Sequence, residues 1–106
     1  MQEFDRRAAE RMAVNADTAC TFVSPVLEDF GPSRIQNISM DGIGLLVTRR
    51  VEVGALLTIT LTNPAKSFVK TLLVRVAHVT PQLGHHLVGG TFNTALTYQE
   101  LTALVM

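Results

Sequence analysis

Between Asp17 and Phe92, turn-forming residues cut the chain into short segments: Pro25, Gly31-Pro32, Asp41-Gly42, Val53-Gly54, Asn63-Pro64 and a cluster from Pro81 to Gly84. Segments this short suit strands and leave no room for a bundle of helices. Their composition agrees. In 56–62 the residues Leu57, Ile59 and Leu61 alternate with Thr58, Thr60 and Thr62, which gives one apolar and one polar side to an extended chain. Five more strands are expected over 18–24, 33–39, 44–48, 68–79 and 86–92, the fourth of these long enough to bend around a corner. The stretch 26–33, with Glu28, Asp29, Phe30, Gly31 and Pro32, reads as a turn.

The two ends differ from this middle. Residues 1–14 are polar, with only Phe4, Ala8 and Met12 as a thin helical stripe, so they read as a flexible arm, helical or irregular. At the other end Thr97-Tyr98-Gln99-Glu100 fits a capping box, and Leu101, Leu104 and Val105 follow at helical spacing. The expectation is an all-β barrel or sandwich over 17–92, closed at one end or face by a short C-terminal helix over 97–106.

A chain of 106 residues suits one domain. Nine basic and nine acidic residues cancel, so the fold as a whole is no polyanion trap, and DNA is not an expected partner. The cations are unevenly chosen: seven of the nine are arginine, and Arg6, Arg7 and Arg11 lie in the arm. Arginine offers a planar fork of donors that matches a phosphate or a guanine edge, where lysine offers a point charge. The single cysteine, Cys20, sits between Ala19 and Thr21 in an expected strand, which suits a buried structural thiol. Residues 1–11 are charged and form no signal peptide, and no apolar run nears the ~20 residues of a membrane span. A cytoplasmic location without membrane partners is expected.

Catalytic chemistry has little support. Ser39 and Asp41 have no histidine near them in sequence. His85 and His86 are adjacent, so on a strand they point to opposite faces and cannot chelate one metal together. No glycine-rich strand–loop–helix unit is present. Neither an enzyme nor a bound cofactor or metal is expected.

Two local patterns remain. Arg7-Ala8-Ala9-Glu10-Arg11 sets two arginines four residues apart, on one side of any helical turn. Asn37-Ile38-Ser39-Met40-Asp41-Gly42 sets an amide and a hydroxyl two apart, which in an extended chain point the same way and can bond a base edge. Gly42 then supplies a tight turn or a close backbone approach. Taken singly, each pattern also fits a solvated arm or an ordinary polar turn.

In this order, with 25 residues between Arg11 and Asn37, the patterns match RxxxR and (D/N)xSxxG, and the chain resembles the PilZ domain, a bacterial receptor for cyclic di-GMP. Gly89-Gly90-Thr91-Phe92 resembles a looser feature of that family's last strand. The resemblance runs over nearly the whole chain. It implies a six-stranded antiparallel β-barrel whose arm folds over the nucleotide. It also implies a ligand site made of Arg7, Arg11, Asn37, Ser39 and Gly42. Asn37 stands where aspartate is commoner. Arg6, just before the motif, implies two intercalated cyclic di-GMP molecules per chain. His78 stands where some members place an aromatic residue against a guanine. Output would pass to a downstream protein partner through a change of shape. The competing expectation is a PilZ-like adaptor that binds proteins and no nucleotide.

Overall fold

The computed structural model describes residues 11–23 and 33–106. Six strands form a single antiparallel sheet: β1 (Ala19–Phe22), β2 (Arg34–Ile38), β3 (Gly42–Val47), β4 (Leu56–Asn63), β5 (Phe68–Gln82) and β6 (His85–Phe92). Their order across the sheet is β1-β4-β5-β6-β3-β2. The sheet curls into an open barrel. Its two edge strands approach without pairing, joined by a bond in which the Ser33 hydroxyl donates to the Cys20 carbonyl at 3.0 Å. The expected turn over 26–33 and most of the arm lie outside the described residues.

Alternation decides which side of each strand is buried. Leu57, Ile59 and Leu61 of β4 point inward as their pattern requires, and so do Ile43, Leu45 and Val47 of β3 and Val74 and Val76 of β5. The short helix α1 (Tyr98–Val105) lays Leu101 and Leu104 on this core. Its capping box is complete: Glu100 N–H donates to Thr97 Oγ1 at 3.1 Å, and Thr97 N–H donates to Glu100 Oε1 at 2.9 Å. Its far end is tied down by side chains that replace missing helical partners. The buried Asn63 amide donates to the Ala103 carbonyl at 2.8 Å, and Thr18 Oγ1 donates to the Leu104 carbonyl at 2.9 Å. Lys70 Nζ meets Glu100 Oε2 at 2.7 Å across the seam between helix and sheet.

Most strand ends differ from expectation by a residue or two, and the differences in β5 and β3 bear on the site. β5 does not stop at Val79 but runs through Pro81 to Gln82, leaving Leu83-Gly84 as a two-residue turn with Gly84 at φ 78°. Beyond Val76, which still bonds Gly54 and Ala55 just ahead of β4, β5 pairs only with β6, and a proline without an N–H is tolerated along such an open edge. β3 begins at Gly42 rather than Gly44. Gly42 does not have the positive φ that a tight turn would demand; it is extended strand.

Candidate functional site

The (D/N)xSxxG segment folds as the end of β2, a turn, and the start of β3. Asn37 pairs with Gly44, and Ile38 pairs with Ile43. Ile38 fills the core, which turns Asn37 to the outer face. Ser39 does not follow it outward. β2 ends at Ile38, the chain turns, and the Ser39 side chain is 1% exposed. Its Oγ accepts the N–H groups of Asp41 and Gly42, each at 3.2 Å, and its own N–H donates to the Gly42 carbonyl at 2.9 Å. Extended geometry therefore misplaces this hydroxyl: it closes the turn that would hold the ligand instead of lining the outer face beside Asn37. The turn is fixed from below as well, since Phe92 N–H donates to the Asp41 carbonyl at 2.8 Å.

The arm reaches this turn from the other side. Met12 and Ile38 exchange both backbone hydrogen bonds, at 2.7 and 2.8 Å, so the last described residues of the arm extend the sheet beyond β2. That bridge delivers Arg11 to the outer face, where its Nη1 donates to Asn37 Oδ1 at 2.8 Å. The second arginine of one motif and the first residue of the other are thus in direct contact, although 26 positions separate them. Arg6 and Arg7 lie outside the described residues.

Glycines make room for this contact. A Cβ on Gly44 would stand 2.7 Å from Asn37 Oδ1 and 3.3 Å from Arg11 Nη1. A Cβ on Gly42 would run into the carbonyl oxygen of Gly90 on the paired strand, with Arg11 Nη2 3.4 Å away. Gly89 pairs with Gly44 on one side and with His78 on the other, and the imidazole of His78 lies over it where a side chain would be. Across β2, β3, β6 and β5 the outer face therefore reads Asn37, Gly44, Gly89, His78. The result is a floor two glycines wide, with the Asn37 amide and Arg11 over Gly44 and the His78 ring over Gly89; three strand spacings, roughly 14 Å, separate β2 from β5. Gly44 was read only as the start of a strand. The spacing Gly42-x-Gly44, which bares one side of that strand, was the available signal.

This face carries hydrogen-bond donors and acceptors on side chains that lie over buried glycines, which suits a planar, polar, negatively charged ligand. Elsewhere the chemistry is quiet. Burial pushes the Cys20 thiol up to about 12, with a smaller opposing effect from the Ser33 hydroxyl, so the neutral thiol prevails. Among the described residues no group of three His, Cys, Asp or Glu side chains could hold a metal ion. No helix among them is long and apolar enough to cross a membrane.

Comparison with known proteins bears on the same features. Searches of curated proteins and of solved structures each found no match. The family model for the PilZ domain matches residues 5–106, which span both motifs, all six strands and the helix. With sheet, turn and arginine contact in place, the chain belongs to the PilZ domain family.

Proposed function

We propose that this PilZ domain is a receptor for cyclic di-GMP, and that it binds the nucleotide on the outer face between Asn37 and His78, beneath the arginines of the arm. The single observation that carries the reading is the Arg11–Asn37 bond over Gly44, because it brings both motifs to one place. Arg11 and Arg7 supply forks of donors for guanine O6 and N7 or for phosphate. Asn37 presents an amide to a base edge and holds Arg11 in position. Ser39 acts through the turn it closes, and Gly42 lets β3 lie close to β6 there. His78 stands at the far end of the floor, where its ring can stack on a guanine, an interaction worth about 1–3 kcal/mol.

Two molecules bind per chain, the third arginine, Arg6, serving groups that Arg7 and Arg11 cannot reach. Binding draws the arm onto the barrel, and this change of shape is what a downstream protein partner reads. The domain is no enzyme and uses no cofactor. The work takes place in the bacterial cytoplasm.

Calorimetric titration of cyclic di-GMP into the wild-type chain and into the Arg7→Ala, Arg11→Ala double variant tests the reading. Saturable binding that falls thirtyfold or more in the double variant, about 2 kcal/mol or above, is expected. No heat from the wild-type chain, or equal affinity in both, would leave the adaptor reading in its place.

A further inference from the structure

We infer that Arg75 on β5 is a further ligand-contact residue, taking a phosphate on the side of the site opposite Arg11; this rests on the cyclic di-GMP reading above. Strand alternation alone would set Arg75 and His78 on opposite faces, since three positions separate them. The pairing of β5 with β6 contradicts that. The register shifts between Val76 and His78, so Ala77 is the extra residue of a bulge. Arg75 pairs with Thr91 and His78 pairs with Gly89, and both point outward. Bulges re-aim side chains in this way.

Thr91 in turn pairs with Gly42, over which Arg11 lies. Arg75 therefore stands two strand spacings from Gly42, about 10 Å, across a row whose intervening side chain is only a threonine. Its side chain is exposed. Among the described residues it makes no hydrogen bond or ion pair. It borders a shallow cleft of about 210 Å³ with Leu56, Leu73, Phe92 and Asn93. A cation with no carboxylate partner among the described residues, on the same face as a second guanidinium and across a gap of base-pair-like width from it, fits a ligand with phosphates on two sides.

Calorimetry with cyclic di-GMP on five proteins tests this: wild type, Arg11→Ala, Arg75→Ala, Arg75→Lys and Arg50→Ala. Arg50 lies before β4 beside Glu52, at 3.7 Å, and controls for the loss of one positive charge. The expected result is a tenfold or greater loss of affinity in Arg75→Ala at an unchanged melting temperature. Arg75→Lys should return to within about threefold of wild type, as a phosphate contact allows, and Arg50→Ala should stay within twofold. Wild-type affinity in Arg75→Ala, while Arg11→Ala is impaired, would overturn this inference and leave the receptor reading standing. A loss as large in Arg50→Ala as in Arg75→Ala would reduce the effect to net charge and overturn it too. If the wild-type chain does not bind, both fall together.

Discussion

Gly42→Ala and Gly44→Ala each add one methyl group to the same face of the same strand, two residues apart, and should have opposite effects. At Gly42 the new Cβ runs into the carbonyl oxygen of Gly90, which is backbone of the paired strand. Nothing there can rotate away, so β3 and β6 must separate. Overpacking of this kind costs about 1–3 kcal/mol. The lower entropy of the unfolded alanine chain offsets about 0.4–1 kcal/mol of that. The net loss is about 1–2 kcal/mol, or roughly 5–15 °C in melting temperature for a domain of this size. At Gly44 the obstacles are the Asn37 amide at 2.7 Å and the Arg11 guanidinium at 3.3 Å, both ends of side chains. They swing aside and the strand stays put. Since the bond they give up is exposed, the melting temperature should hold or rise slightly. The ligand then meets an unprepared pair and a raised floor. A charge-assisted bond is worth about 1.5–3 kcal/mol, so affinity should fall roughly 10- to 100-fold. Thermal melts read the first effect and calorimetry with cyclic di-GMP the second. A Gly44→Ala variant that binds as tightly as wild type would refute the role given to the Arg11–Asn37 contact. A Gly42→Ala variant with the wild-type melting temperature would refute the packing argument.

Three other outcomes follow from the same geometry. Ser39→Ala leaves the Asp41 and Gly42 N–H groups without their acceptor, so it should lower stability by about 1–3 kcal/mol in a chemical melt, with weaker binding following from the looser turn. Burial keeps the Cys20 thiol neutral in the folded chain up to about pH 12, against 9.0 for an exposed thiol. The unfolded chain therefore loses this proton first, and stability should fall as pH rises from about 9 toward 12; urea melts of Cys20→Val should show a shallower decline over that window, and an unchanged slope would contradict it. Arg6→Leu should lower the calorimetric ratio from about two nucleotides per chain toward one, and a wild-type ratio near one would remove the role given to Arg6.

The parts of the fold legible from sequence were those whose signals are local. The alternation in β4 needs only its own residues, and its inward set is buried as read. The capping box at Thr97 and Glu100 is complete within four positions. The two motifs were recognisable for the same reason. What sequence did not disclose depends on register between strands distant in the chain. The Met12–Ile38 bridge carries Arg11 to Asn37, and no pattern in either segment announces it. The glycine floor needs Gly44 to be aligned with Gly89, 45 positions further on. Ser39 was misplaced because alternation was continued past the end of β2, where the backbone had already turned to satisfy the N–H groups of Asp41 and Gly42. Arg75 was passed over because one extra residue at Ala77 reverses the parity of the strand.

The central claim is that cyclic di-GMP occupies the face between Asn37 and His78. Amide NMR during a cyclic di-GMP titration tests it most directly, since each backbone N–H reports its own surroundings. The account predicts that the largest shifts fall on Arg11, Asn37, Gly42, Gly44, Gly89 and His78, while the Thr58–Thr62 side of β4 and helix α1 stay unmoved. Shifts centred on α1 or on the Arg50–Glu52 loop would contradict it, as would a spectrum that the nucleotide does not change.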